Sequence, residues 1–166
     1  MATRSTIAIE YADGTVDQVY CHWDGYLDHN GVLLRDHYSD PFKVRELMDL
    51  GDLSSLGKVI GSKRPFSKFE LDQEAPDYLE KVALIKKAEA EGWCNFYGRD
   101  RGETGVGPKR FKDFQEYARE HQREEYEYIL RNVNGKAQWF VSFYGTDDEY
   151  LTIEDAFEFQ KAKEEA

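Results

Sequence analysis

The chain has 166 residues, of which 40% are hydrophobic and 14% aromatic, a composition that fits one folded domain and excludes a largely disordered protein. Its net charge of −11 argues against a general role in binding DNA or RNA, because an acidic surface repels the phosphate backbone. With two cysteines, no apolar run of about 18 residues and no start typical of a signal peptide, we expect a reduced, cytosolic protein that does not enter a membrane.

The first predicted element is a β-hairpin formed by residues 5–11 and 15–22. Both segments are rich in β-branched and aromatic residues, and Asp13-Gly14 between them favours the positive φ of a tight turn. Alternation along the second strand places Val19 and Cys21 on one face of the sheet and Val16 on the other.

The next predicted element is a helix that begins near Pro41. Ser39 or Asp40 serves as its N-cap, Pro41 suits the first helical position, and Gly51 suits its C-terminal end. The segment that follows, residues 57–69, is rich in Lys, Ser and Gly and is predicted to be irregular.

A second helix is predicted for residues 77–91, ending at Gly92. Helical spacing there produces one apolar stripe, made of Tyr78, Leu79, Val82 and Ile85. We expect this stripe to be the buried face of the helix.

The C-terminal half is predicted to contain a strand at 93–97, a Gly-rich loop at 98–109, a helix at 111–122, strands at 126–133 and 136–144, and a helix at 152–162. Asn134-Gly135 joins the last two strands in a two-residue hairpin turn. Thr152 is the predicted N-cap of the last helix.

This order of elements predicts an α+β fold, with residues 1–166 forming a single domain. Because two hairpins dominate the strand pattern, we expect a mostly antiparallel sheet of about five strands. Three to four helices would pack on one face of that sheet.

Two stretches of the sequence combine aromatic and polar residues, at 19–26 and 93–103. If both lie at one end of the sheet, they form a ligand-binding site in which aromatic rings stack on a base and arginines bind a phosphate. The candidate ligand-binding residues are Trp23, Asp24, Tyr26, Trp93, Tyr97, Arg99 and Arg101. The alternative is that the charges of Arg99-Asp100-Arg101 pair with one another in a structural loop.

Neither catalytic residues nor a metal or other cofactor is predicted. Cys21, His22 and Asp24 resemble a nucleophile with its base, but adjacent strand residues point to opposite faces, so Cys21 and His22 cannot pair. A buried thiol is the simpler interpretation of Cys21. The cluster His22, Asp24, His29, Asp36 and His37 lacks the spacing typical of zinc sites.

The negative charge lies at the two ends of the sequence. Residues 1–60 carry a net charge of −5, residues 61–146 are neutral overall, and residues 147–166 carry −6. The last segment contributes a candidate partner-binding acidic face, made of Asp147, Asp148, Glu149, Glu154, Asp155 and Glu158. Such a face could imitate nucleic acid toward a basic protein, or it could be an ordinary solvated surface.

Residues 3–9, 19–26 and 97–103 resemble a group of small bacteriophage accessory proteins. The resemblance covers the first 60 residues and the Gly-rich loop, but not residues 72–91 and 122–166. It implies an accessory protein made in the cytoplasm of an infected bacterium. By analogy with small acidic phage proteins, the leading hypothesis is a non-enzymatic protein that binds and inhibits a host or defence factor. The acidic ends would face a basic surface on that partner, and neither direct nucleic acid binding nor membrane association is expected.

Two other functions stay open at this point. One is a small-molecule or nucleotide-binding module that sequesters or cleaves a phosphorylated signal, and the other is a minor structural protein of the virion. The unpaired edges of both hairpins also leave a homodimer open.

Overall fold

A computed structural model describes residues 2–165 and contains, in that range, eight strands and six α-helices. The strands are β1 (Ser5–Glu10), β2 (Val16–Cys21), β3 (Leu53–Ser55), β4 (Asn95–Phe96), β5 (Lys109–Phe111), β6 (Tyr126–Val133), β7 (Lys136–Phe143) and β8 (Leu151–Thr152). The helices are α1 (Val32–His37), α2 (Pro41–Leu50), α3 (Tyr78–Glu91), α4 (Tyr97–Arg101), α5 (Phe114–Glu120) and α6 (Ile153–Glu165). A π-helical turn, Leu27–Gly31, leads into α1, and a 3-10 turn spans Lys68–Glu70.

All strands form one mixed sheet in the order β4-β3-β2-β1-β6-β7-β8, with β5 also paired to β2. Both predicted hairpins are present, as the antiparallel pairs β1–β2 and β6–β7. The hairpins are joined by a parallel pairing of β1 with β6, in which Ile7 lies opposite Tyr128. A second parallel pairing, between Cys21 and Leu53, connects β2 to β3.

The prediction of a mostly antiparallel sheet of about five strands is therefore wrong. The strands that it omits, β3, β5 and β8, have only two or three residues each, which is too short for an alternating pattern to show. The parallel pairing joins segments far apart in the sequence, and no local turn signal marks such a pairing. The count of three to four helices is also too low.

The sheet is covered on both faces, so the prediction of helices on one face is wrong as well. The larger core contains Ile7, Val19, Cys21 and Tyr128 and packs against α1, α2 and α6. The smaller core, on the opposite face, contains Ala8, Val16 and Ile129 together with Phe111 and Tyr117, and it is covered by α5. The predicted division of Val19 and Cys21 from Val16 is confirmed.

Several helix boundaries follow the capping residues of the sequence. The Phe42 amide donates to the Asp40 carboxylate at 3.0 Å, and Pro41 occupies the first helical position of α2. The Asp155 amide donates to the Thr152 hydroxyl at 3.1 Å. Gly92 ends α3 with a φ of 72°. The predicted caps of these helices are confirmed.

Helix α3 buries only part of the predicted stripe: Ile85 is buried and Tyr78 and Val82 are half-buried. Ile85 and Ala88 are its buried residues, whereas Leu79 is 79% exposed. The two buried residues of the helix line the same concavity as Ser55 of β3 and Asn95 of β4, at the edge of the sheet. As a result, α3 forms a wall of a cleft.

The segment between α3 and β6 also differs in detail from the prediction. The strand is limited to Asn95–Phe96 and is followed at once by α4, within the predicted loop. Helix α5 starts only at Phe114, because Phe111 belongs to β5 and Asp113 caps the helix by accepting from the Glu116 amide at 2.8 Å. Among residues 2–165, none of the helices combines the length and the apolar character that spanning a membrane requires.

Candidate ligand-binding cleft

A cleft of about 610 Å³ opens between α3, the β3–β4 edge of the sheet and the segment around Arg64. We call it the Arg64 cleft; its polar lining includes Asp24, His29, Lys58, Arg64, Lys68 and Asn95. Trp93 also lines it. The two aromatic-polar stretches thus meet in the same cleft, the first through Asp24 and the second through Trp93 and Asn95.

Arg64 is the buried cation of this cleft, with 8% of its surface exposed. Its backbone amide donates to the Asp100 carboxylate at 3.0 Å, and its Nε donates to the Pro65 carbonyl at 3.2 Å. Its two terminal nitrogens donate to no group of residues 2–165, and it forms no salt bridge with an acid in that range. Burial lowers the pKa of Arg64 from its ordinary value. A buried guanidinium with unused donors is suited to an anion.

Asn95 contributes a second unused polar group. Its Nδ2 donates to the Phe66 carbonyl at 2.9 Å, which fixes the orientation of the amide. Its Oδ1 is buried and accepts no hydrogen bond from the described part of the chain. Such an atom destabilises the free protein by about 1–3 kcal/mol, so a ligand that donates a hydrogen bond to it would be favoured.

The charges around the cleft differ from those of the whole chain. Its lining contains three bases, Lys58, Arg64 and Lys68, and two acids, Asp24 and Glu89. In a protein with a net charge of −11, this is a locally basic surface.

Asp24 adopts a φ of 58°, a left-handed conformation that Asp tolerates better than most residues.

The structure places the other predicted ligand-binding residues outside the cleft lining. Trp23 and Tyr26 are 42% and 40% exposed, and Tyr97 packs against Phe66 with ring centroids 5.4 Å apart. Arg101 lies over the Phe66 ring and forms salt bridges with Glu70 and Glu103.

Arg99 is fully engaged within the protein. Its Nε donates to Asp100 at 2.9 Å, its Nη1 to the Ile60 carbonyl at 3.0 Å and its Nη2 to the Cys94 carbonyl at 3.1 Å. These bonds tie α4 to the segment that carries Arg64. The alternative in which Arg99 and Asp100 pair internally is what the structure contains.

Sequence reasoning missed Arg64 and Asn95. Arg64 lies in a segment predicted to be irregular, so its position suggests no site. Asn95 lies within the second aromatic-polar stretch, but the predicted ligand contacts of that stretch are its aromatic rings and arginines and not its amide. The sequence carries no signal for Arg64, but the structure shows why a glycine precedes it at position 61, where an added Cβ would lie 2.4 Å from Cγ of Trp93. That close approach brings the Arg64 segment against the second aromatic-polar stretch.

The two thiols lie in the core. Burial raises the pKa of Cys21 to about 12 and also raises the pKa of Cys94. Both thiols are therefore protonated at neutral pH, a state that is a poor nucleophile. Within residues 2–165, no group of three or more His, Cys, Asp or Glu side chains is arranged to hold a metal ion.

The predicted acidic face divides into two parts. Asp147, Asp148 and Glu149 lie in the exposed turn between β7 and β8, where Asp148 forms a salt bridge with Arg123 at 2.8 Å. Glu154, Asp155 and Glu158 are exposed on α6, and Glu154 lies 4.0 Å from Arg35.

Comparisons with known proteins identified no relative of this chain. The chain matches no family model, no curated protein and no solved structure.

Proposed function

We propose that the protein binds a small anionic ligand, phosphorylated or carboxylated, in the Arg64 cleft. The observation that carries this proposal is the buried guanidinium of Arg64, whose terminal nitrogens donate to no group of residues 2–165. Two parallel donors on a planar group match two oxygens of a phosphate or carboxylate. An anionic ligand would also give the guanidinium a direct ion-pair partner, which it lacks among residues 2–165 although Asp100 and Glu89 act on it electrostatically.

Two further groups narrow the ligand class. The unused Oδ1 of Asn95 requires a donor such as an N–H or O–H, and the indole of Trp93 on the wall offers a surface for stacking. A nucleotide combines a phosphate, N–H donors and an aromatic ring. We therefore favour a mononucleotide over a simple sugar phosphate. In this form of the nucleotide-binding hypothesis, Arg64 takes the role that the sequence suggested for Arg99 and Arg101.

Isothermal titration calorimetry with adenosine, guanosine, cytidine and uridine monophosphates, ribose 5-phosphate and inorganic phosphate tests this proposal. We expect at least one mononucleotide to bind, and Arg64→Gln to weaken that binding by about tenfold or more. Arg101→Gln is the matched control, because its guanidinium lies on the surface outside the cleft. No binding by any probe, or equal binding by a folded Arg64→Gln variant, would overturn the proposal.

A second candidate function concerns the acidic face. Asp147, Glu149, Asp155 and Glu158 are exposed and form no salt bridge with a cation of the described chain. These unpaired carboxylates favour a partner protein with a basic surface. With the phage resemblance, this candidate is an inhibitor of a host or defence factor in the cytoplasm of the infected bacterium.

Capture of partners from a bacterial lysate at low and high salt tests the second candidate. A nucleic-acid-binding protein retained at low salt and released at high salt is the expected result, since charge pairing is screened by salt. Charge reversal at Asp147, Glu149 and Asp155 should abolish the capture. If the reversed protein retains the same partner, the acidic face is not the interface.

A further inference from the structure

A second concave surface, about 850 Å³ in volume, lies between residues 123–127 and the turn at 142–148. We call it the Glu127 groove. Its lining includes Arg123, Glu124, Glu125, Glu127, Asp147 and Asp148. It shares no lining residue with the Arg64 cleft, so the two sites can be tested separately.

The floor of the groove contains a buried carboxylate. Glu127 on β6 is 5% exposed, and its neighbours across the sheet are Thr6 on β1 and Ser142 on β7. Its Oε2 is hydrogen-bonded to Nε2 of His121. Its Oε1 accepts no hydrogen bond from any group between residues 2 and 165, although the residue lines the groove.

His121 explains why one carboxylate oxygen is engaged and the other is not. Its Nδ1 lies 2.6 Å from the Tyr117 carbonyl and must donate to it, since a carbonyl oxygen only accepts. Its Nε2 faces Oε2 of Glu127, so one more proton is shared between imidazole and carboxyl group. The ring also stacks on Tyr117, with centroids 4.5 Å apart. Glu127 is thereby held in place while Oε1 is left for a donor in the groove.

The rim of the groove attracts cations. Four acids, Glu124, Glu125, Asp147 and Asp148, outnumber the two bases Arg123 and Lys163 there, and Arg123 is already paired with Asp148. The ring of Tyr144 is 94% exposed, and it already interacts with one cation of the protein. The ammonium of Lys163 lies 5.7 Å from the centroid of that ring, a cation–π distance.

We propose that the Glu127 groove binds an arginine side chain of a basic peptide. The guanidinium would donate to Oε1 of Glu127, lie against the ring of Tyr144 and be surrounded by the carboxylates of the rim. Arginine fits better than lysine because its planar, multiply donating head group can reach the floor and the ring together. This proposal specifies the contact, an arginine side chain, by which the acidic face of the second candidate function would bind a basic protein. It depends on that candidate function only for the identity of the protein partner.

Titration of the full-length, ¹⁵N-labelled protein with agmatine and with the peptide amide Arg-Gly-Arg, at low salt, tests the groove without any protein partner. We expect amide shifts in residues 123–127 and 142–148, and tighter binding of the arginine peptide than of its lysine counterpart. Glu127→Gln should weaken binding by about tenfold, and Tyr144→Ala by about threefold. Glu80→Gln, at an exposed position of α3 outside both the groove and the acidic face, is the control and should leave the affinity unchanged.

Asp147→Asn provides a variant that preserves the fold. Asp147 is exposed and has a φ of 54°, which Asn also tolerates, so loss of binding in this variant reports on charge alone. Chemical-shift changes confined to residues outside the groove would overturn the proposal. So would a folded Glu127→Gln or Asp147→Asn variant that binds agmatine and the arginine peptide with the affinity of the wild type. If the lysate experiment captures a basic protein but agmatine does not bind, the acidic face remains a candidate interface and the arginine site in the Glu127 groove is rejected.

Discussion

Asp17 and Arg110 form a two-point ion pair that fastens β5 to the first hairpin. Arg110 donates from Nε to Oδ1 at 2.8 Å and from Nη2 to Oδ2 at 2.9 Å. The Tyr11 hydroxyl donates to the same carboxylate at 2.8 Å. Asp17 on β2 is buried, with only 3% of its surface exposed, although it is a charged residue. The pair therefore secures a three-residue strand that has little other pairing.

Asp17→Asn should lower the free energy of unfolding by about 1–2 kcal/mol at pH 7, measured by urea denaturation. Burial raises the pKa of Asp17, but the bonds from Arg110 and Tyr11 outweigh burial and leave this pKa below its ordinary value. The charged pair thus stabilises the fold above the ordinary carboxyl pKa of about 4, and this contribution is lost as the pH falls through the lowered pKa. The stability difference between wild type and variant should shrink below about pH 4. An unchanged difference at acidic pH would contradict this, and Glu120→Gln, on an exposed position of α5, is the control.

The thiols of Cys21 and Cys94 should resist alkylation. Because burial raises the pKa of both, iodoacetamide at pH 8 should modify the native protein at least about a hundredfold more slowly than the urea-unfolded protein. Mass spectrometry after timed quenching gives the two rates. Rapid modification of either thiol in the native state would show that the structure around it opens locally.

His121 and Glu127 should be strongly coupled in stability. His121→Leu leaves a buried carboxyl group without its partner and should destabilise the protein by about 3 kcal/mol. Replacing both residues by Leu should recover much of that loss, because the buried polar pair is then removed together. Thermal or urea unfolding of the two single variants and the double variant measures the coupling. Additive effects would show that the hydrogen bond contributes little.

Gly61→Ala should disturb the Arg64 cleft. Gly61 has a φ of 72°, and an added Cβ would lie 2.4 Å from the indole Cγ of Trp93. The variant should therefore unfold more easily and bind the nucleotide more weakly.

Gly105→Ala is the matched control for that variant. Gly105 has the same φ of 72° but has nothing within 4 Å of an added Cβ, so it reports only the backbone strain, about 1 kcal/mol. The difference between the two variants in melting temperature and in ligand affinity measures the contact with Trp93. Equal effects of the two substitutions would show that Trp93 moves aside without consequence.

The parts of the fold that were predictable have local signals. Asp13-Gly14 and Asn134-Gly135 mark the two hairpins because their residues favour positive φ, and the helix caps follow from side chains next to the helix ends. The parallel junction of β1 with β6 has no such signal, since it depends on the packing of both faces. The omitted strands β3 and β5 pair with β2, which is distant in the sequence, and β8 has only two residues.

The candidate site was predictable only in part. Asp24 and Trp93 belong to conspicuous aromatic-polar stretches, and both line the Arg64 cleft. Arg99 and Arg101 were equally conspicuous, but their guanidinium groups are paired with carbonyl oxygens and carboxylates of the protein. Whether an arginine is free for a ligand depends on which acceptors the fold brings to it, and the sequence does not show this.

The parallel junction of β1 and β6 has a consequence for how the chain folds. Each hairpin can form by itself within microseconds, because its turn residues are adjacent in sequence. Pairing β1 with β6 requires closure of the entire chain between Glu10 and Tyr126, which contains five of the six α-helices. The central seam of the sheet is thus a contact of high sequence separation, and we expect its closure to be the slow step of folding.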